Sequence, residues 1–318
     1  MHGIIYSENY SQRQPPLDPL EPSNYQERMI KTSSLLLILL FPLPQFLPGQ
    51  EGMSELAGIR FAYENSSDRK IKGINTDIGY DQWEFRAPFF YSQKDDWTIA
   101  AGIRYQSTKL NISNPTAYSL LEDQLHSLDL AFFLSRKYSE NIDWLLLFNP
   151  NLAGDFENTN GDAFNYLTIA GIKWEQKENL QWIFGAVYTT GIGDDLLLPA
   201  LGLIWEPSAR STLVFAGPII RYNYELSDRW DLNLGGQFSG NRWHTEALYG
   251  GNLEKRDFRF RSYRLFANLQ YNLGEKHAIF AGAGFDFAGE VELETPTSRD
   301  ERDVENGGNL EIGYQFKF

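Results

Sequence analysis

Apolar and polar residues alternate along most of the chain between Leu56 and Phe318. In segment 96–106 (DWTIAAGIRYQ), one face of the alternation is apolar and the other is small or polar. Segments 229–239 and 309–318 repeat this pattern. A period of two residues is typical of β-strands, in which successive side chains point to opposite faces. The chain is therefore predicted to be all-β, with one face of each strand shielded from water.

The positions of the aromatic residues favour a lipid-facing barrel over a soluble β-sandwich, although alternation alone fits both. Rings bracket the apolar faces of several strands at a spacing of eight residues. Eight steps of about 3.3 Å, tilted by about 40°, cover roughly 20 Å, which approaches the height of a lipid-facing band between two aromatic girdles. The predicted girdle residues are Trp83, Tyr91, Trp97, Tyr105, Trp230, Phe238, Tyr263 and Tyr271. We therefore predict a transmembrane β-barrel.

The connections between the predicted strands alternate between short and long. This rhythm is typical of outer-membrane barrels, which have tight periplasmic turns and longer external loops. Long connections are predicted at 65–81, 109–124, 154–163, 242–256 and 291–308. The loop 289–308 is rich in carboxylates, which suit a hard cation such as Ca²⁺, but it lacks the spacing of a calcium loop. A solvated acidic external loop is therefore favoured there, and no metal site is predicted.

The strand count depends on segment 211–226. Thirteen candidate strands are visible, whereas bacterial single-chain barrels have even numbers of strands. A hairpin at Gly217 and Pro218 raises the count to fourteen. One bulged strand there, with 55–64 outside the wall, lowers it to twelve. We predict fourteen antiparallel strands, with twelve as the alternative, because proline disfavours an uninterrupted central strand.

The first fifty residues differ from the rest of the chain. Residues 1–28 are polar and rich in proline, which predicts a disordered leader or an over-extended translation start. Residues 29–50 contain Lys31, a short apolar run and a small-residue exit near Gly49. That order is typical of a cleavable Sec-type signal peptide, and the run is far shorter than the roughly 20 residues of a membrane-spanning helix. A short buried helix is the alternative, and the barrel domain is predicted at 51–318.

The C-terminal strand alternates up to Phe318. It resembles the terminal signal, ending in an aromatic residue, by which the outer-membrane assembly machinery recognises its clients. Together with the export signal, this predicts a protein of the outer membrane of a Gram-negative-type bacterium. Its expected partners are the lipids of that membrane and the barrel assembly machinery.

Charge and composition exclude several classes of function. The chain has 42 acidic and 28 basic residues, a net charge of −14 and no cysteine. An acidic protein without a basic cluster repels phosphate backbones, so nucleic-acid binding is not expected. The lack of cysteine excludes disulfides, thiolate zinc sites and a cysteine nucleophile. No cofactor is implied.

Segment 196–245 contains three features of a known family. These are Leu198-Pro199 before a glycine-containing strand, Pro218 before an Ile-x-Tyr strand, and Trp230-x-Leu. The segment resembles an uncharacterised family of bacterial outer-membrane barrels, the domain-of-unknown-function family numbered 6268. The resemblance implies the fold and the location, and it implies no activity or active site.

The polar face of the predicted strands contains charges that cannot lie in lipid. Six of each sign are expected in the lumen: Glu84, Arg86, Arg104, Asp129, Lys173, Arg221, Glu225, Asp231, Arg264, Asp286, Glu311 and Lys317. These charges predict either a passive or weakly selective pore for small solutes, or a lumen closed by ion pairs. In the second case the protein is a structural or surface-binding barrel with acidic loops.

Catalysis has little support in the sequence, and an enzyme is not predicted. The best candidate is His244 in the predicted loop 242–256, beside Thr245 and Glu246. A membrane-embedded hydrolase would need such a general base next to a nucleophile. A solvated loop histidine is the more ordinary interpretation, so this hypothesis is the weakest of the three.

Overall fold

The computed structural model describes residues 58–114, 123–157, 161–190, 196–217, 219–249, 252–296 and 298–317. The predicted leader (1–28), the signal peptide (29–50) and the assembly signal at Phe318 lie outside these residues. Among the residues described, no helix has the length and apolar character needed to cross a membrane.

The described part of the chain is built from strands and one short 3-10 helix, Gly161–Ala163. The strands are β1 Gly58–Lys70, β2 Asp77–Lys94, β3 Trp97–Ile112, β4 Gln124–Ser139, β5 Ile142–Gly154, β6 Phe164–Lys177, β7 Leu180–Thr189, β8 Leu196–Ser208, β9 Ser211–Ala216, β10 Ile219–Ser227, β11 Trp230–Tyr249, β12 Asn252–Asn272, β13 His277–Glu294, β14 Arg299–Val304 and β15 Gly307–Lys317.

These strands close into a barrel of fourteen wall positions. Each strand from β1 to β13 pairs antiparallel with the next, and β15 pairs with both β13 and β1. The short β14 pairs with residues 289–294 of β13, whereas β15 pairs with residues 277–286. β14 and β15 therefore follow one another along β13 and share one position in the wall. The predicted count of fourteen is confirmed, and the alternative of twelve is wrong because 211–226 forms the hairpin β9–β10.

The predicted alternation separates the outside of the barrel from the inside. On β3 the side chain of Trp97 is 40% exposed, while Arg104 is fully buried. Aromatic pairs flank the apolar band on neighbouring strands, with Trp230 against Tyr271 at one end and Phe238 against Tyr263 at the other. Rings of this kind are stable between headgroups and hydrocarbon. Trp83, Trp97 and Tyr105 also have outward register.

Tyr91 departs from the predicted girdle. A β-bulge between Pro88 and Phe90 shifts the register, so Tyr91 lies opposite Ala100, which faces inward. Tyr91 and Trp83 therefore lie on different faces of β2. Because proline cannot donate to the ladder, it favours a bulge of this kind, and the simple spacing of eight residues fails here.

Three of the long predicted connections are wrong. In segment 65–81, β1 runs to Lys70 and β2 begins at Asp77. Segment 242–256 is mostly strand, since β11 runs to Tyr249 and β12 begins at Asn252. Segment 291–308 holds the end of β13 and all of β14. These strand ends are polar on the outward face, where Arg259 is in register with Glu292 and Arg261 with Glu290. A prediction that requires an apolar outward face misses strands that continue beyond the lipid.

Candidate functional site in the barrel lumen

Three arginines lie side by side inside the barrel. In cross-strand register, Arg60 of β1 is opposite Arg86 of β2, and Arg86 is opposite Arg104 of β3. Like charges directly opposite one another destabilise a sheet. The row therefore requires compensating carboxylates, or an anion, in the lumen.

Carboxylates from the same region pair with this arginine row. Arg86 donates to Glu84 at 2.6 Å, and Arg104 Nε donates to Asp129 at 3.0 Å. Arg60 contacts both Glu84 and Glu311. The pairs are buried or half-buried, so the removal of one partner would leave an uncompensated charge in the lumen.

A second network surrounds Arg264 of β12. Its guanidinium pairs with Asp286 at 2.7 Å and with Glu64 at 2.8 Å, and it donates to the Tyr80 hydroxyl at 2.7 Å. Asp286 also lies 3.4 Å from Arg69. The network joins β1, β2, β12 and β13, and the inward register of Glu64 and Arg69 follows only from the pairing of β1.

Most of the other predicted lumen charges lie near the end of the barrel that has the short turns. Lys173 pairs with Asp143 at 2.5 Å. Asp231 accepts hydrogen bonds from Gln270 and Asn272, and Lys317 donates to Asn272. Glu225 is opposite Asp231 at the short-turn end. All twelve predicted charges have inward register, and their control of solute passage stays a prediction.

Two adjoining cavities occupy the polar side of the lumen. The upper cavity, of about 60 Å³, is lined by Tyr80, Gln82, Gln106, Asn241 and Trp243 among others. The lower cavity, of about 100 Å³, is lined by four arginines and two glutamates: Arg60, Arg86, Arg221, Arg264, Glu64 and Glu311. Both cavities include Glu64, Gln237, Arg264 and Glu311. They therefore adjoin along the lumen.

The inner wall from β4 to β9 has a different character, which the alternation analysis missed. Its inward positions are mostly apolar, as in the row Phe133, Leu147, Ile169, Val187 and Leu198 across five neighbouring strands. A sequence signal existed in the apolar runs 145–148 and 196–198, which do not alternate. Runs of this kind are typical of strands that are apolar on both faces.

The end of the β11–β12 hairpin lies across one mouth of the barrel. We call residues 241–249 and 252–260 the hairpin tip. His244 of the tip bridges to Gly154 of β5, which is not a neighbour of β11 in the wall. Arg242 donates to Asn165 at 3.1 Å, and Lys255 pairs with Asp162 at 2.6 Å. The tip thus reaches the opposite wall through polar contacts.

Two glycines allow this placement of the tip. At Gly154, an added Cβ would lie 2.3 Å from the His244 carbonyl oxygen. Gly240, where the tip begins, has a φ of +148°, and an added Cβ would lie 2.2 Å from the Phe260 carbonyl oxygen. Only glycine adopts such a conformation readily.

The other side of the tip packs on apolar residues at the mouth. We call this group the mouth cluster; its buried members are Ile71, Ile78, Tyr80, Leu110, Leu125, Ala153, Trp243, Phe258, Phe260, Val291, Leu293 and Val304. The cluster joins inward side chains of the wall to Trp243, Phe258 and Phe260 of the tip. The mouth is therefore filled as a soluble protein core is filled.

Asp257 ties together the two strands of the tip. It accepts hydrogen bonds from His244 Nδ1 at 2.8 Å and from Arg242 at 2.5 Å. Burial acts to raise the pKa of Asp257, but the hydrogen bond from His244 and the charge of Arg242 hold this pKa below its usual value. Asp257 is thus ionised at neutral pH. We call Asp257, Arg242 and His244, together with the Arg242–Asn165 and Lys255–Asp162 contacts to the far wall, the latch.

His244 is placed differently from the sequence prediction, because it lies in β11 rather than in a loop and is only 6% exposed. Its Nδ1 is bonded to Asp257, an arrangement that also orients a catalytic histidine, so the neighbouring hydroxyl decides whether the predicted pairing forms. Successive residues of a strand point to opposite faces, so the Thr245 hydroxyl faces away from His244. The predicted pairing of this base with the neighbouring hydroxyl is wrong.

The acidic segment 289–308 forms ion pairs instead of a solvated loop. Carboxylate oxygens of Glu290, Glu292 and Glu301 lie within 4.8 Å of one another. Arginines neutralise them: Arg299 contacts Glu292 at 2.9 Å and Glu301 at 3.3 Å, and Arg261 contacts Glu290. The charge arrangement is that of a cross-strand network on the outer face of the mouth.

Comparison with known proteins shows which family contains this chain. No curated protein matches it. Among solved structures, similar chains include a FadL homologue of Pseudomonas aeruginosa (11% identity, TM-score 0.44, covering 82% of this chain and 89% of that one). Another is the COG4313 outer membrane channel of Pseudomonas putida F1 (13% identity, TM-score 0.43, covering 82% and 96%). The family model described as "Domain of unknown function (DUF6268)" matches residues 91–311. This chain belongs to the DUF6268 family.

Proposed function

We propose that this protein is an outer-membrane barrel that admits small solutes through a lumen gated by the hairpin tip. The observation that carries the proposal is a pair of adjoining polar cavities directly below a tip that reaches the far wall through polar side chains. Polar latches of this kind exchange readily with water, because exposed ion pairs contribute little net stability. The outward apolar band with its aromatic rings supports the membrane location.

Planar-bilayer recording tests the proposal. In Arg242→Ala the tip loses its bonds to Asp257, Asn165 and the Thr190 carbonyl, and we expect more frequent openings than in the unchanged protein. Arg229→Ala is the matched control, because Arg229 lies in the short turn between β10 and β11, away from the tip, where it donates to the Tyr271 hydroxyl.

A crosslink across the mouth tests the same proposal in the opposite direction, because it should keep the lumen closed. The chain has no cysteine, so Asp162→Cys and Lys255→Cys together introduce the only thiols. A short thiol crosslinker should hold the tip against the 3-10 helix and suppress conductance, and each single variant is a control. A variant in which an Asn-Gly turn replaces residues 243–256 should conduct most. If that variant shows no conductance above background, the gated path is rejected.

A closed structural or surface-binding barrel is the second candidate. The mouth cluster favours it, because twelve buried side chains fill the opening. The tip-replacement variant separates the two candidates. In a closed barrel the ion-paired lumen blocks current even without the tip.

A further inference from the structure

The upper cavity lies against the hairpin tip, which contributes Asn241, Trp243 and Phe260 to its lining. We infer that this cavity binds a small neutral polyol, a molecule in which every carbon carries a hydroxyl group. The inference rests on the proposed function, because the polyol must pass the tip to reach the cavity, and it names the solute class of that path.

Amide and hydroxyl side chains supply most of the polar lining. The cavity is lined by four amides and by the hydroxyls of one threonine and two serines, besides Tyr80. An amide offers both donors and an acceptor, and a hydroxyl donates one hydrogen bond and accepts others. A hydroxyl group of a polyol therefore finds a partner whichever of these side chains it meets.

The charges around the cavity are paired and balanced. The arginine row and its carboxylate partners contain three positive and three negative charges, and the network around Arg264 contains two of each. These pairs leave no excess of either sign for a charged solute. An ion would lose its hydration without gaining an uncompensated partner there, whereas a neutral molecule bears no such cost.

Three residues that line the cavity have buried polar atoms that remain available to a ligand. Within the part of the chain that the structure describes, no hydrogen-bond partner is found for Gln106 Oε1, Asn241 Nδ2 or Trp243 Nε1, and all three side chains are more than nine-tenths buried. A buried polar atom without a partner is unfavourable. One acceptor and two donors around one space match the hydroxyls of a polyol, each of which both donates and accepts. These unpaired atoms around a charge-balanced cavity carry the inference.

The size of the two cavities fits a molecule of this kind. Taking roughly 12 Å³ for each water-sized group, the upper cavity has room for about five such groups and the adjoining lower cavity for about eight. A polyol of three to five carbons fits this space. Trp243 and Phe260 of the tip add apolar ring surface, against which the C–H groups of a polyol are removed from water.

Protection of a single thiol from labelling tests the inference. Ser239→Cys places the only thiol of the chain in the lining of the upper cavity, at a half-buried position. The variant is purified from membranes, placed in lipid nanodiscs and labelled with methyl methanethiosulfonate, which is small and uncharged. We expect xylitol to slow the labelling at least threefold. Pentane-1,5-diol at the same osmolality, which has the same carbon chain but only the two terminal hydroxyls, should not slow it.

Variants at the unpaired atoms identify the site. Trp243→Phe in the Ser239→Cys background keeps an aromatic ring in the mouth cluster and loses the Nε1 donor. It should raise the xylitol concentration for half protection about three- to tenfold, the scale for one neutral hydrogen bond. Asn241→Asp keeps the oxygen that accepts from the Arg242 backbone N–H and loses the Nδ2 donor, so it should act in the same direction. Trp230→Phe, on the outward face, is the matched control and should leave the value unchanged. Heat-modifiable gel migration shows whether each variant is folded.

Different results separate this inference from the proposed function. If the reagent labels a control Glu178→Cys in a short turn but never labels Ser239→Cys, the path and the inference both fail. If it labels Ser239→Cys and xylitol protects no better than pentane-1,5-diol, only the inference is overturned. Equal protection by xylonate, in which a carboxylate replaces one terminal hydroxymethyl group, overturns the preference for a neutral solute. A half-protection concentration that is unchanged in folded Trp243→Phe and Asn241→Asp also overturns the inference.

Discussion

The lower and upper parts of β12 have opposite polarity on the same faces. In the lower part Leu265 and Leu269 face outward, and Arg264 and Asn268 face inward. In the upper part Arg259 and Arg261 have outward register, while Phe258 and Phe260 face inward into the mouth cluster. The strand and its hydrogen-bond ladder are continuous across the change. The surroundings of each part therefore decide which face is apolar. Below, the outward face meets lipid; above, Arg259 on that face is buried in ion pairs with Glu292 and Glu294, and the inward face packs in the mouth cluster.

The largest effect is expected where an inward charge has buried partners. Arg264→Glu places a carboxylate beside Glu64 and Asp286 and should destabilise the barrel by about 3–5 kcal/mol, the scale for a broken buried pair. Arg104→Glu, next to Asp129, should behave similarly. Unfolding in urea from lipid vesicles measures the loss. A shift in the cation-to-anion permeability ratio with unchanged stability would show instead that these charges line an open lumen.

A matched pair on the outward face of β12 tests the comparison directly. Leu265→Arg places a charge in the lipid band and should cost about 2–4 kcal/mol if the position is near the midplane. Arg261→Leu, four residues away on the same face, loses its half-buried pair with Glu290 and a longer contact of 3.9 Å with Glu292. Partly exposed pairs of this kind are worth about 1 kcal/mol or less. The same unfolding assay compares them. Equal losses of stability in the two variants would mean that the outward face has the same surroundings at both positions.

The bend at Gly240 is expected to matter less. Gly240→Ala should destabilise the hairpin by about 1–3 kcal/mol, because alanine is strained at this φ and its Cβ meets the Phe260 carbonyl. We expect protease cleavage within the tip while the barrel keeps its heat-modifiable migration. Gly274→Ala is a control for strain alone, since its φ is also positive but no atom lies within 4 Å of the added Cβ. Equal sensitivity of the two variants would contradict a specific clash.

The smallest effect concerns pH. The pKa of Asp257 is lower in the folded protein, so its contribution to the latch is complete above the unfolded value of about 3.9. It is lost as the pH falls through the folded value. The charged or titratable groups around it are Arg242, His244, Lys255, Arg259 and Asp162. Channel openings should rise below about pH 4, and Asp257→Asn should show them at neutral pH. Acid-insensitive openings would count against the latch.

The lipid-facing part of the fold follows from local patterns. Alternation, the aromatic pairs and Pro218 predicted fourteen strands, because lipid imposes one rule on every strand that crosses it. The rule of an apolar outward face does not extend to the hairpin tip. The sequence therefore predicts a loop at residues 242–256, whereas the structure has strand there. The rule also assumes an unbroken register, which the bulge at Pro88 violates.

The sequence by itself determined the class of fold and the inward register of the twelve charges, since each depends on one strand and its solvent. Only the tertiary structure decided between fourteen and twelve strands, and only it decided the arginine row, the apolar inner wall of β4 to β9 and the tip across the mouth. These features depend on cross-strand register, bulges and contacts between strands far apart in sequence. A period of two residues carries no information about which inward side chains become neighbours.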